Sequence, residues 1–159
     1  MIEIREATLS DLDAIMALER LSFAPDDWSS ESMTREIESE HTMYLVAFAG
    51  AQLAGAQLAG YAGVLAPSGS TDADIQTIAV APDHRRAGLG RELMSRLIAH
   101  AASARAKAVF LEVRADNPGA QQLYRSLGFG ELGVRPRYYR GGIDAVVMKL
   151  DHPGESGAA

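Results

Sequence analysis

The run Ile78-Ala79-Val80-Ala81-Pro82-Asp83-His84-Arg85-Arg86-Ala87-Gly88-Leu89-Gly90 constrains the fold of this chain more than any other stretch. An apolar segment suited to a strand stops at Pro82, which has no amide to give a sheet ladder. A basic turn follows. Leu89, Leu93, Met94, Leu97, Ile98 and Ala101 then recur at the spacing of one helix face. Strand, turn and helix are therefore consecutive, and the helix opens at the glycines. Gly88 and Gly90 let the backbone come close to a ligand. Unpaired amides at a helix start, with the positive end of the helix dipole, face whatever lies in such a turn. That is a recipe for cradling a diphosphate. It is equally a recipe for a tight turn, and these residues alone leave both readings open.

Two nucleotide-binding readings fail on particular residues. A dinucleotide fingerprint needs a third glycine or alanine where Leu93 stands. A phosphate loop needs Gly-Lys-Ser or Gly-Lys-Thr, and neither occurs. Bulk properties narrow the field further. A chain of 159 residues suggests one domain with a full core. With no cysteine, disulfides, thiolate catalysis and cysteine-ligated zinc are excluded. His41, His84, His100 and His152 form no pair at helical spacing, so no metal site is expected. No apolar run reaches the ~20 residues of a membrane span, and Met-Ile-Glu-Ile-Arg-Glu is not a signal peptide. A cytoplasmic protein without membrane contact is expected. A net charge of −6 argues against general nucleic-acid binding. It leaves room for a local basic patch at His84, Arg85, Arg86 and Arg91.

Along the chain, alternation from Ile2 to Arg5 predicts a first strand. Thr8 and Asp11 form a capping-box-like start for a helix to about Ser22. Phe23 to Trp28 has loop character, and Ser29 can cap a second helix to about Glu38 with Met33 and Ile37 inward. Strands are expected at Met43 to Phe48 and Leu58 to Leu65. Between them lies a tandem repeat, Ala-Gly-Ala-Gln-Leu twice over, which leaves hairpin register weakly specified. Ala73 to Val80 reads as the central strand. The glycine-opened helix is expected to reach about Ala106, followed by a strand at Ala108 to Val113. Asn117-Pro118 suits a helix start, and Gly128 suits its stop after Leu127. Gly130 to Arg140 and Ile143 to Leu150 form a last hairpin turning at Gly141-Gly142. One domain over 1–150 and a flexible tail over 151–159 are expected. The element order implies an α/β fold with a mixed, mostly antiparallel sheet between helices.

Arg85, Gly88 and Gly90 spell Arg-x-x-Gly-x-Gly directly after Ile-Ala-Val. This resembles the acetyl-coenzyme A signature of the GNAT N-acetyltransferases. Leu111-Glu112-Val113-Arg114-Ala115-Asp116-Asn117 and Leu123-Tyr124-Arg125-Ser126-Leu127-Gly128-Phe129 resemble the same family's next two motifs, in the same order. The resemblance spans nearly the whole chain and is most secure from Asp74 to Phe129. It implies the GNAT fold and acetyl-coenzyme A as acetyl donor. Ile78, Ala79, Val80, Arg85, Arg86, Ala87, Gly88, Leu89, Gly90, Asn117 and Tyr124 would contact that donor.

The match is closer to the RimI branch of the family. It rests on Asp26-Asp27-Trp28-Ser29, on Leu-Glu-Val-Arg-Ala-Asp-Asn, and on Arg137-Tyr138-Tyr139 with Asp144-Ala145 and Met148. The branch acetylates the N-terminal alanine of a ribosomal protein, the eighteenth of the small subunit. The resemblance makes Glu112 the general base and Tyr124 the general acid, and it puts Trp28, Tyr138 and Tyr139 beside the acceptor. Each residue also has a plainer reading. Glu112 could pair with Arg114 or Arg125 on a strand surface. Tyr124 shares a helical stripe with Ala120 and Leu127 and could simply fill the core. Asn117 could cap its helix, which is compatible with a ligand contact. Trp28 could plug the core or a hinge. Phe-Ala-Pro-Asp-Asp-Trp is longer than the branch's compact Phe-Pro-Trp-Ser pattern, which puts acceptor breadth in question. Acetylation of lysine side chains or small amines, and a non-catalytic acetyl-coenzyme A-binding module, stand as alternatives.

Overall fold

The computed structural model describes residues 2–50 and 58–155. The N-terminal alternation folds as β1, Ile2–Glu6. At the turn beyond it, the Thr8 amide donates to the Asp11 carboxylate at 2.8 Å. Two further bonds of 2.8 Å from the Arg5 guanidinium hold the same carboxylate and lower its pKa. This buried brace opens α1, Leu12–Phe23. Ser29 caps α2, Ser30–Glu38, by accepting from the Ser32 amide at 3.1 Å.

Strands β2, Thr42–Ala49, and β3, Leu58–Leu65, pair antiparallel. The repeat that joins them falls largely on residues 51–57, outside the described residues. Then follow β4, Asp72–Val80, α3, Leu89–Ser103, and β5, Ala108–Arg114. The chain continues through α4, Pro118–Ser126, β6, Gly130–Tyr139, and β7, Ile143–Asp151. The seven strands form one sheet in the order β1-β2-β3-β4-β5-β7-β6, antiparallel except between β4 and β5. The mixed, mostly antiparallel sheet between helices is therefore as expected.

Two ends differ from expectation. Helix α3 stops at Ser103, three residues early, and Arg105 turns left-handed at φ 70° to feed β5. The segment expected to begin the tail is partly built into the fold. Asp151 ends β7, and Pro153–Glu155 form a 3-10 turn with Pro153 buried, Gly154 lying near Ala102 of α3. Residues 156–159 lie outside the described residues.

Each sheet face carries its own apolar core. On one face, Leu89, Leu93, Met94, Leu97 and Ile98 of α3 pack with Leu45, Ala62, Val64, Leu111 and Val113, and Tyr124 and Leu127 join them. Burying one such side chain contributes roughly 1.5–3 kcal/mol. The approach of α3 is close because β3 is built from small residues. A Cβ on Gly60 would come within 2.9 Å of the Ala79 carbonyl and 3.2 Å of Leu89. On the other face, Ile15, Met16, Leu18 and Met33 of α1 and α2 cover Tyr44, Val46, Phe48 and Tyr61.

Strand β4 contributes to both cores through a bulge. Thr77 pairs with Gly63 and Ile75 with Val64, which leaves Gln76 as the extra residue. Ala73 and Ile75 therefore join the α3 core, whereas Ala79 joins the α1–α2 core. The same bulge sends Gln76 toward α2, where its amide donates to Glu36 at 2.7 Å.

Candidate active site

The site grows from a split in the sheet. β4 and β5 pair in parallel only from Asp72↔Ala108 to Asp74↔Phe110. Beyond Phe110 the two strands part, so Ile75 to Val80 and Leu111 to Arg114 lack each other as partners. The Ala81 amide bonds to Ala59 on the β3 side at 2.8 Å. Strand alternation therefore turns the Val80 amide toward the split. An unpaired strand edge inside a sheet is a ready template for an extended, amide-bearing ligand.

At the wide end of the split lies the glycine turn. Pro82–His84 make one 3-10 turn, and Gly88 at φ 84° is the N-cap of α3. Arg86 is also left-handed, at φ 64°. Among the described residues, the amides of Arg86, Ala87 and Gly88 donate no hydrogen bond. The first amides of α3 lack helical acceptors by construction. Arg85 bends back, its Nε donating to the Val80 carbonyl at 3.0 Å, and so ties the turn to the strand end. The two glycines do different work. A Cβ at Gly88 would meet nothing within 4 Å, so its conformation is what requires glycine. A Cβ at Gly90 would lie 3.3 Å from Leu123 and 3.8 Å from Val80, so that glycine serves the packing of α4 on α3.

Glu112 lies on β5 just past the last β4–β5 pair, with Leu111 and Val113 buried on the opposite face. It is ion-paired, but with Arg135 of β6, at 3.5 Å from Nε to Oε2. The partners expected from sequence are engaged elsewhere: Arg114 holds Asp116 at 2.9 and 3.0 Å, and Arg125 reaches Gln121 at 3.4 Å. Tyr138 and Tyr139 of β6 stand near Glu112. Burial and then the Glu112 charge push the Tyr139 hydroxyl up to about 12 and raise that of Tyr138. The two rings meet edge to face at 5.1 Å, and the Arg114 guanidinium lies 5.4 Å above the Tyr139 ring.

Tyr124, on α4, is buried and edge-on to Phe129 at 6.2 Å. Burial, with Tyr139 nearby, pushes its hydroxyl up to about 12. That hydroxyl makes no hydrogen bond among the described residues, yet it is not sealed from solvent. The ring thus fills the core as its helical stripe suggested, and the hydroxyl is left uncommitted. Asn117 caps α4 through Oδ1, which accepts from the Ala120 amide at 3.2 Å. Its Nδ2 donors stay uncommitted among the described residues.

Trp28 is half-buried against the α1–α2 core, which fits the plug reading. It also lines a groove of about 350 Å³ with Ser32, Arg35, Glu36 and Gln76. Its amide donates to Glu19 at 2.9 Å. Glu19 is the residue that sequence reasoning undervalued. It is 1% exposed, accepts from the Tyr61 hydroxyl and, at 3.4 Å, from Thr77. A signal existed, because Leu12, Ile15, Met16 and Glu19 share one helical stripe. A carboxylate on an apolar stripe must find buried donors.

The model of the acetyltransferase (GNAT) family matches residues 12–129. The chain belongs to the GNAT acetyltransferase family. It is 38% identical over 154 residues to the N-alpha-acetyltransferase RimI of Mycobacterium tuberculosis, covering 94% of this chain and 92% of that protein. It is 44% identical over 82 residues to the [ribosomal protein bS18]-alanine N-acetyltransferase of Escherichia coli, half of this chain and 55% of that one. The crystal structure of the Escherichia coli ribosomal-protein-S18-alanine N-acetyltransferase superposes with a TM-score of 0.78 at 31% identity, over 96% of this chain and 94% of that one. These relatives place the GNAT chain among the N-acetyltransferases. No helix among the described residues is long and apolar enough to cross a membrane.

Proposed function

We propose that this GNAT chain transfers an acetyl group from acetyl-coenzyme A to the N-terminal α-amine of a protein that begins with alanine. A ribosomal protein is the favoured target, as the names of its relatives suggest. The observation that carries the reading is the placement of Glu112 on the wall of the β4–β5 split, with Tyr138 and Tyr139 beside it and the amide-lined turn at the far end. Acetyl-coenzyme A fits that layout. Its diphosphate would take the amides from Arg86 to Gly90, its pantetheine arm the free edge of β4, with Asn117 beside it, and its acetyl carbonyl the Val80 amide.

An amine attacks a thioester only when neutral, and an α-amine with pKa near ~8 is mostly protonated at pH 7. Glu112 takes the ammonium proton first; the neutral amine then forms the N–C bond, and the proton it sheds on becoming an amide replaces the one that Tyr124 gives the sulfur. The C–S bond then breaks, and the Tyr124 hydroxyl donates to the departing sulfur. A hydroxyl held near 12 stays protonated throughout the neutral range, as a donor must. With no cysteine in the chain, direct transfer is the simplest route. The deciding experiment offers acetyl-coenzyme A with an alanine-initiated peptide, an internal-lysine peptide with a blocked N-terminus, and free polyamines. Mass spectrometry should find acetyl only on the alanine amine. A preference for lysine or polyamine would move the chain to another GNAT acceptor class, and no transfer at all would support a binding module.

A further inference from the structure

Two segments carry the residues that the resemblance puts beside the acceptor: the loop between α1 and α2 holds Trp28, and the β6–β7 hairpin holds Tyr138 and Tyr139. One carboxylate joins them. Asp26 Oδ1 accepts from the Arg140 amide at 3.2 Å, across 114 positions of sequence. Asp26 Oδ2 is buried, lacks a hydrogen bond, and lies 3.7 Å from Arg114 Nη1. Arg114 in turn lies over the Tyr139 ring and is fixed by Asp116. The hairpin is braced internally as well, since the Arg137 amide donates to Asp144 Oδ1 at 2.9 Å. The loop, β5 and the hairpin turn therefore meet at Asp26, two residues from Trp28 and next to the tyrosine that faces Glu112.

We propose that Asp26 is a positioning residue for the acceptor: it latches the α1–α2 loop to the β6–β7 hairpin and so presets the groove in which the amine is presented to Glu112. The proposal rests on the acceptor reading of this site given above. Its physical content is preorganisation. When only a fraction of molecules hold the competent groove, apparent acceptor affinity falls by that fraction. Two arms hold the latch, a hydrogen bond to a backbone amide and an attraction to a guanidinium. Bonds to charged groups are the stronger kind. Asp26 lies in the segment that is longer here than in the compact Phe-Pro-Trp-Ser pattern. The latch is thus a feature through which this chain could set its own acceptor breadth.

The test uses Asp26→Asn and Asp26→Ala in the full chain. Asparagine keeps an acceptor for the Arg140 amide and loses the charge facing Arg114. Alanine loses both arms. The expected result is a graded rise in KM for the alanine-initiated peptide, about tenfold for alanine and smaller for asparagine. Turnover should stay within about twofold, since Asp26 touches no reacting atom. The acetyl-coenzyme A dissociation constant, read by calorimetry, should not move. Trp28 is the sole tryptophan, so its fluorescence reports the loop without any turnover. Acrylamide should quench Trp28 more strongly in both variants. Should alanine prove too unstable to purify, asparagine carries the test. An unchanged KM with unchanged quenching would overturn the latch, as would a lower KM, which would make the contact a block. If wild type acetylates no peptide N-terminus, the acceptor reading fails. Trp28 quenching and amide exchange at Arg140 would still decide whether the latch exists.

Discussion

Arg135 Nε lies 3.5 Å from Glu112 Oε2, reaching across the intervening strand β7. With its carboxylate against that guanidinium, Glu112 can serve as a base only if the incoming amine comes between the partners or beside them. The pair is largely exposed on the arginine side, where such attractions contribute little. It therefore orients Glu112 at small cost to its availability. Glu112→Gln keeps the shape and removes the basicity. Turnover should fall by about 10²–10⁴ at pH 7, the usual range for a general base. The deficit should shrink as pH rises, because more amine is already neutral. Arg135→Gln is the matching control and should cost far less. Equal losses in the two variants, measured as kcat against pH, would make Glu112 a structural partner of Arg135.

Tyr124→Phe removes one hydroxyl from a buried ring that packs edge-on to Phe129. Because that hydroxyl bonds to nothing among the described residues, the thermal midpoint should hardly change. Acetyl-coenzyme A affinity should also hold, since a thioester sulfur is a weak acceptor. The loss should fall on turnover alone, where the thiolate needs a proton. A fully active phenylalanine variant would remove Tyr124 from the chemistry. An acetyl adduct on Tyr124, found by mass spectrometry without acceptor, would replace direct transfer with a covalent route.

Gly88 and Gly90 should respond differently to the same substitution. A Cβ at Gly88 meets nothing within 4 Å, but valine there must hold φ 84°, a conformation costing L-residues roughly 1–2 kcal/mol. It should abolish acetyl-coenzyme A binding in calorimetry while circular dichroism stays native. Valine at Gly90 pushes on Leu123 and Val80 and should cost about 1–3 kcal/mol of stability. Its first effect should appear in a denaturant midpoint. Similar binding losses with no stability difference would put the two glycines in one role.

The local part of this architecture was legible. Caps at Thr8, Ser29 and Asn117, the stop at Gly128 and the turn at Gly141-Gly142 are chemistry of a few adjacent residues, and they stand where that chemistry puts them. The element order alone pointed to a mixed sheet. What stayed hidden depends on strands far apart in the chain. Arg135 was not foreseen as the Glu112 partner, because β7 inserts between β5 and β6. The Gln76 bulge has no local signature, yet it decides which face Ala79 covers. Asp26 reads as a loop residue until the hairpin arrives against it. Arg105, with no glycine to mark its left-handed turn, ended α3 earlier than the apolar stripe suggested.

Glu19 gives the clearest dependence on pH. Its carboxyl is almost wholly inaccessible, and burial raises its pKa above the ordinary 4.5, against the opposing bonds from Tyr61, the Trp28 amide and Thr77. An acid whose folded value is raised holds its proton more tightly folded than unfolded. Its stabilising share is complete below the unfolded value and is lost as pH rises through the folded one. Each pH unit between the two values is worth about 1.4 kcal/mol. Glutamine resembles the protonated acid, with one acceptor and a donor group, and it cannot ionise. Glu19→Gln should therefore match wild type below the unfolded value and become the more stable of the two as pH rises above it. Denaturant midpoints at a series of pH values would read this directly. A variant whose disadvantage grows with pH would show that Tyr61 and the Trp28 amide favour the ionised form more than burial opposes it.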